Sequence, residues 1–577
     1  MRDFSNIRTR DDLAELLGIK KSFLTYILYK AKTDSFYSSF EIPKKAGGTR
    51  QIHAPSGALK DIQKRLAVLL GEYQENFREE KNIHTNIAHA FERKKSIYSN
   101  ARIHRNKHIV LNLDLEHFFD SFHFGRVAGY FEKNTDFLLP HDVAIIIAQL
   151  TCYKGHLPQG APSSPIITNL ICQILDMRIL KIAKRYRLDY TRYADDLTFS
   201  TNDHSFIDKN ESFLQELEKE IVRSGFSINQ KKTRLTLRDS QQMVTGLVVN
   251  KKVHVSAEYY RKTRAMAHNL YANCAFQING EDGNLAQLEG RFSFINEIDR
   301  RNNQLDEAKH NFRSLNGREQ QYRQFLFFKY FFAHEKPVIV TEGKTDIRYL
   351  KAALKNLWMS YPELITKDSN GRFTYHITFL RKTERLTYFL GIVQDGASAM
   401  TTIYNYFSKK ENHDFPDYYA WFSKFDSIPS PQPVILLFDN ETVTKRPLQK
   451  FLGYIDATEK DKQDIQSNLF LCIRPTSNLF LLTNPLVDNQ NECEIEYLFQ
   501  SETREVVIGG KRLCLKDQFD TKKYYGKEIF SQYISQNYTQ IDFSGFIPLL
   551  DALSQIVKTQ ATPTENQEQN HQNNQKA

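Results

Sequence analysis

The 577-residue sequence predicts an α+β part followed by an α/β part. Short apolar runs near residues 109–115 and 197–200 adjoin carboxylates and are separated by helical segments. From Val338 the pattern changes to strand then helix, and the apolar run Val434–Phe438 again ends on acids. Charge divides at the same place: residues 1–330 hold 50 Lys and Arg against 38 Asp and Glu, whereas residues 331–577 hold 28 against 30.

A basic excess confined to the first part points to a polyanionic partner, because neutralising phosphates is the main sequence-independent source of nucleic-acid affinity. Hydrophobic residues at 41% and charged residues at 25% fit a chain that buries cores. No apolar run approaches the ~18 residues of a membrane span, and no basic-then-apolar leader opens the sequence. The six cysteines lie far apart with no CxxC pair. A reduced, cytoplasmic setting without membrane contact is expected.

Residues 1–40 read as a helical lead-in, with Leu13, Leu16, Leu17, Phe23, Leu24, Ile27 and Leu28 at helical spacing. Ile42 to Ile52 reads as a hairpin closed by Gly47-Gly48. Ile109–Leu115 and Leu197–Ser200 read as strands, and His156–Pro165 as a turn leading into a helix from Ile166 to Ile182. Residues 255–330 read as helical, basic and aromatic, and Gln560–Ala577 as a disordered polar tail.

Asp114 ends the first of these strands, and Tyr193-Ala194-Asp195-Asp196 forms a tight acidic turn before the second. Adjacent carboxylates repel and are costly to bury, so the cluster calls for cations. Two divalent ions ~3.5–4 Å apart would activate a hydroxyl and stabilise a leaving phosphate oxygen. With these motifs, residues 20–320 resemble reverse transcriptases. The resemblance implies that Asp114, Asp195 and Asp196 are the catalytic, magnesium-binding triad, with Mn2+ as the alternative metal. It implies that Phe119, five residues after Asp114, excludes a ribose 2′-hydroxyl, making deoxynucleoside triphosphates the substrates. Gln159, within Leu157–Pro165, would contact the nucleotide, and Lys232, within Ile228–Thr233, would lie near the triphosphate as charge stabiliser or proton donor. Arg50, Arg93 and Lys94 would grip triphosphate or template.

Asn100-Ala101-Arg102-Ile103-His104 before the first catalytic strand and Val244-Thr245-Gly246 after the last palm motif resemble two elements of retron reverse transcriptases. That resemblance implies copying of a cognate noncoding RNA into branched, RNA-linked single-stranded DNA (msDNA) in the bacterial cytoplasm, with higher-order assembly around the msDNA as a further implication. Tyr259, Arg261, Lys262 and Arg264 open the region where an RNA-binding thumb is expected.

Val338-Ile339-Val340-Thr341-Glu342-Gly343-Lys344-Thr345-Asp346, with Asp439-Asn440-Glu441, resembles the Toprim fold of topoisomerases, primases and nucleases. The resemblance implies a mainly parallel sheet, catalytic Glu342, and metal ligands Glu342, Asp346, Asp439, Glu441 and Glu496. Glu441 departs from the family's second aspartate by one methylene, and Gly343 is expected to permit the strand-to-helix turn.

The expected architecture is a right-hand polymerase with fingers and palm in residues 1–250 and a thumb in 251–332, then a Toprim domain in 333–500, its extension in 501–559 and a polar tail in 560–577. The expected function is RNA-directed DNA synthesis with an effector nuclease in antiphage defence. Two alternatives stand beside it: a Toprim segment that is a noncatalytic binding module, and an intron-type reverse transcriptase or maturase.

Overall fold

In Ile109-Val110-Leu111-Asn112-Leu113-Asp114-Leu115 one face of the pleat, Ile109, Leu111, Leu113 and Leu115, is wholly apolar, while Asn112 and Asp114 fall on the other. In the computed structural model this run forms the strand Ile109–Glu116, buried along nearly its whole length. The structure describes residues 4–561 except 45–46, 84–85, 304–310, 395, 409–414, 426–431, 442–444, 475, 477, 488–491 and 517. The chain divides into two units, Met1–Tyr259 and Tyr260–Ala577.

In the first unit, Ile109–Glu116 pairs antiparallel with Asp196–Thr201 on one side and with Arg234–Leu237 and Ser227–Ile228 on the other; Asp189–Tyr193 completes the five-stranded sheet. Helices Gly57–Glu80, Phe124–Lys133, His141–Thr151, Ser164–Arg185 and Phe206–Arg223 pack one hydrophobic core with it, joined by Leu13, Leu17, Leu24 and Ile27 of the N-terminal segment. The predicted hairpin forms from Tyr37–Pro43 and Thr49–Pro55. Gly47 and Gly48 turn it with φ +90° and +77°, values that favour glycine. Because the strand begins at Tyr37, the helical lead-in is shorter than expected, ending with the turn at Thr33–Phe36.

In the second unit, helices Ala257–Asn273 (from Tyr260 onward), Leu285–Asn303 and Gly317–Phe327 precede a five-stranded sheet. Its strands Thr378–Phe379, Val338–Val340, Val434–Phe438 and Leu479–Thr483 are parallel, and Phe470–Cys472 is antiparallel at one edge. Alternate residues divide the sheet between two cores. Val338, Val340, Val434, Leu436 and Leu481 join an aromatic core with Phe325, Phe328, Phe332 and Phe422. Ile339, Ile435, Leu437, Phe480 and Leu482 face helices Lys344–Asn356, Lys527–Gln536 and Ile547–Ala561. The helical segment expected as a thumb therefore shares a core with the sheet that follows it. Beyond Ala561, the expected polar tail lies outside the described residues. Among the described residues, no helix is long and apolar enough to cross a membrane.

Candidate active sites

The sheet of the first unit sets Asp114 directly opposite Asp196 in the antiparallel ladder, while the Leu115 N–H donates to the Asp195 carbonyl (3.0 Å). Like charges facing each other across a ladder are destabilising, so local folding gains nothing from this arrangement. The turn itself is strained: Ala194 holds φ +56°, a left-handed conformation that a residue with a Cβ adopts at a cost of about 1–2 kcal/mol. Burial raises the Asp195 carboxyl above its ordinary value. Partial burial, then repulsion from Asp195 and Asp114, pushes Asp196 up to about 7, even though this residue keeps contact with solvent.

Lys232 donates to both Asp114 oxygens (2.9 and 3.0 Å), and the hydrogen bond from Lys232 to Asp114 raises the ammonium's pKa. A cleft of about 560 Å³ opens above these groups. Asp114, Asp195 and Lys232 line it together with Arg50 and His53 from the hairpin and Gln159 from the Pro/Gly turn. The His53 N–H donates to the Gln159 carbonyl (2.8 Å), and Gly160, at φ +115°, allows the contact: a Cβ there would meet Ile52 Cγ2 at 2.7 Å and the His53 carbonyl at 2.9 Å. Phe118, rather than Phe119, lines the cleft, and Phe119 packs on the core. Arg93 is outside the cleft, ion-paired with Glu75 (2.8 Å), and Lys94 does not line it.

The two flanking motifs meet. His104 is fully buried, its ring nitrogens bonded to Ser200 (2.8 Å) and Thr191 (2.7 Å), one on each strand of the acidic hairpin. Burial depresses its pKa to about 3, so it is a neutral brace. Asn100 and Ala101 are buried beside it on helix Ile97–Ile103. Val244 is buried, Thr245 (φ +46°) donates to the Ile97 carbonyl (3.2 Å), and Gly246 follows at φ +81°. A second cavity of about 330 Å³, lined by Ile97, Asn112, Tyr193, Asp196, Thr245 and Gly246 among others, lies beside the acidic turn.

Beneath the turn is a buried ion pair that the motifs did not reveal. Arg192, 0% exposed, donates Nε and Nη2 to the two Asp176 oxygens (2.8 Å each) and Nη1 to Asn169 (3.2 Å) and the Ala194 carbonyl (3.3 Å). Burial opposes this charge, but Asp176 more than compensates and raises the guanidinium's pKa. The sequence offered no signal for it: Arg192 lies in the polar-aromatic strand Asp189–Tyr193, and Asp176 inside a long helix.

The second unit gathers its acids at the carboxyl ends of parallel strands, where open α/β sheets bind ligands. Glu342 follows Val338–Val340, Asp439 follows Val434–Phe438, and Asn484 follows Leu479–Thr483. Glu342 accepts from the Asp439 N–H (3.2 Å), and Asp439 accepts from Asn484 (2.8 Å) and the Ile495 N–H (3.1 Å). Burial, then repulsion by Glu342, Asp346 and Glu496, raises Asp439 well above its usual range. Burial, opposed by the Asp439 N–H and assisted by Glu441 and Asp346, pushes Glu342 up to about 7. Glu496 is fully buried, and Lys527 joins it (3.2 Å) to Glu494 (3.0 Å). Lys527 and Asn484 escaped sequence reasoning because neither belongs to a recognised motif. Glu441 is buried but turned toward Arg446 (3.6 Å), on a strand paired with Glu492. Gly343 is in extended conformation (φ −113°), so no left-handed turn requires glycine. A Cβ there would lie 3.3 Å from the Asp346 carboxylate, a tight contact that would press on that side chain.

Arg261, Lys262 and Arg264 are exposed on helix Ala257–Asn273, with Arg264 near the Tyr260 ring (5.9 Å), and Tyr259 is half-buried. Among the described residues no group of three His, Cys, Asp or Glu side chains is arranged to hold a metal ion. The donor chemistry of both clusters nonetheless fits a hard divalent cation: oxygen ligands only, with burial first and mutual repulsion second raising the pKa values of Asp196 and Asp439. In the first cluster, a cation would compete with the Lys232 ammonium for Asp114.

An antiparallel sheet with facing aspartates beside a nucleotide-sized cleft defines a polymerase palm, and the model of the family "Reverse transcriptase (RNA-dependent DNA polymerase)" matches residues 42–264. The chain is 32% identical over 307 residues to the Retron Mx65 reverse transcriptase of Myxococcus xanthus, covering 50% of this chain and 68% of that one. It is 34% identical over 291 residues to the Retron Ec86 reverse transcriptase of Escherichia coli, covering 50% and 84%. The chain belongs to the retron reverse transcriptase family, and its activity is RNA-directed DNA synthesis. Among solved structures, apo telomerase from Candida Tropicalis aligns at 13% identity and a TM-score of 0.32, over 52% of this chain and 61% of that one.

Proposed function

We propose that the first unit copies a cognate noncoding RNA into branched, RNA-linked single-stranded DNA, and that the second is a Toprim nuclease serving antiphage defence in the bacterial cytoplasm. The observation that carries the polymerase reading is Asp114, paired across the sheet with Asp196, in the lining of a cleft that also holds Asp195, Lys232, Arg50 and Gln159. Asp114, Asp195 and Asp196 would hold magnesium, or manganese in its place. The metal, when bound, lowers the pKa of the attacking hydroxyl and neutralises charge on the phosphates. Arg50 and Gln159 orient the triphosphate, and Lys232 offers a proton to the departing pyrophosphate. The smaller cavity, walled by Thr245 and Gly246 and by Ile97, receives the priming nucleotide and presents its 2′-hydroxyl to Asp196.

Primer extension on an RNA template tests this reading: Asp195→Asn is expected to abolish synthesis, and undiminished synthesis refutes the assignment. For the second unit, support comes from Glu342, Asp346, Asp439 and Glu496 collected at the ends of a mainly parallel sheet, with Lys527 against them. Glu342→Gln is expected to eliminate nucleic-acid cleavage, and wild-type protein inactive on both RNA and DNA refutes the nuclease reading. The orientation of Glu441 toward Arg446 favours the alternative of a noncatalytic binding module. A magnesium titration of the full chain followed by protection of residues 342–346 and 439–441 from hydrogen exchange discriminates: no change favours the module.

A further inference from the structure

We propose that the second unit carries a binding surface for single-stranded DNA on the lysine and aromatic face built by helix Lys344–Asn356 and the hairpin Ile365–Lys367/Phe373–Tyr375. On this face cations and rings alternate in two runs. Lys367 Nζ lies 5.8 Å from the Trp358 ring centre and 5.2 Å from that of Phe373. Lys355 shares the Phe373 ring (5.8 Å) and reaches Tyr538 (5.4 Å). Lys351 lies over Tyr375 (5.7 Å) and Phe379 (5.4 Å). The rings are half-buried, one side packed on the core. Lys351, Lys367 and Arg372 are exposed, and Met359 beside Trp358 is 77% exposed.

The neighbouring carboxylates are already engaged. Asp368 accepts from the Asn370 and Arg372 N–H groups, and Glu363 is ion-paired with Lys558 (2.9 Å) and bonded to Ser554. The exposed cations Lys351, Lys367 and Arg372 outnumber Asp368, the one carboxylate of the hairpin, so the face is locally cationic although residues 331–577 together carry a slight acidic excess. Lysines beside aromatic platforms suit a strand whose bases are unpaired: rings stack on bases while ammonium groups move onto phosphates. A duplex hides those base faces and matches the surface less well. DNA is the occupant because the same chain synthesises it.

At 100° per residue, Lys351 and Lys355 lie about 140° and 180° around their helix from Asp346. A strand held here is anchored on the face turned away from the carboxylates, so the surface is separate from the acidic cluster and does not depend on its cleaving anything.

The test is photo-crosslinking of full-length protein to an oligodeoxythymidylate bearing iodouracil, with adducts mapped by mass spectrometry. Adducts are expected on peptides containing Trp358, Phe373 or Tyr375, in addition to any on the first unit. The combined Lys351→Glu, Lys355→Glu and Lys367→Glu variant is expected to lose these adducts at least about tenfold at physiological salt. Arginine at the same positions is expected to keep them, and primer extension to be unchanged in both variants. Wild-type adducts confined to residues 1–330, adducts undiminished in the glutamate variant, or stronger labelling by oligouridylate than by oligodeoxythymidylate would each overturn the proposal. The wild-type map reads independently of whether any variant folds.

Discussion

Asp176→Asn removes one charge from beneath the acidic turn and almost nothing else. Arg192, at 0% exposure, then keeps its guanidinium with no counterion, and its Nη1 bonds to Asn169 and the Ala194 carbonyl depend on a side chain under strong pressure to move. Breaking a buried ion pair by removing one partner costs about 3–5 kcal/mol. Tyr190 also loses a charged acceptor for its hydroxyl (3.0 Å). Replacing both partners, Asp176→Leu with Arg192→Met, relieves the unpaired charge but leaves the Tyr190 hydroxyl without its acceptor and Asn169 Oδ1 without its donor, at roughly 1–3 kcal/mol. The double variant is therefore expected to be more stable than Asp176→Asn yet still defective, because nothing ties the strained Ala194 carbonyl to the helix Ser164–Arg185. Urea unfolding gives the stabilities. Single-turnover extension of a DNA primer is expected to show a rate at least about tenfold below wild type with little change in nucleotide KM, the signature of a misplaced catalytic group. Asp176→Asn within about 1 kcal/mol of wild type, or a double variant that extends primers at the wild-type rate, would refute the reasoning.

Gly160→Ala drives a Cβ into Ile52 and the His53 carbonyl at a position with φ +115°, so the hairpin bearing Arg50 must retreat; a severalfold higher nucleotide KM in steady-state extension is expected. His104, depressed to about 3 in the folded chain from 6.5, leaves stability intact above pH 6.5 and lowers it as pH falls from 6.5 toward 3, by up to about 1.4 kcal/mol per pH unit. His89, depressed to about 4, acts in the same direction, so the measurement is the difference in urea midpoints between wild type and His104→Gln, which should narrow across that window. Thr245→Val removes the bond to Ile97 in the wall of the smaller cavity; initiation on the cognate RNA is expected to fall about tenfold while extension of an annealed DNA primer changes little, and equal loss of both would contradict the priming role.

What could be read from the sequence was whatever depended on short stretches of chain. The strand at 109–115, the Gly47-Gly48 hairpin and the helix after Pro165 carry their own periodicity and turn residues, and each forms within a few residues of its expected bounds. Asp114, Asp195 and Asp196 were legible because a costly carboxylate turn sits in an apolar hairpin. Long-range partners were not: Lys527 approaches Glu494 and Glu496 only because helix Lys527–Gln536 packs on helix Lys344–Asn356. Arg192 and Asp176 are 16 residues apart on different elements, and their pairing exists only once the sheet is laid on the helix. Phe118 rather than Phe119 lining the cleft is likewise a matter of how the chain turns after Glu116, which spacing alone does not fix. The sharing of one aromatic core by residues 322–332 and the following sheet was hidden by a helix-like pattern that is equally apolar on several faces.

On the proposed function, the carboxylates of the first unit convert the chain's own RNA partner into DNA. Sequencing and nuclease digestion of the nucleic acid that co-purifies with wild-type protein and with Asp195→Asn test it most directly. Wild type is predicted to carry single-stranded DNA covalently joined to RNA through a 2′-linkage, and the variant to carry the RNA alone. RNA without DNA on the wild type, or the same DNA on both proteins, would contradict it.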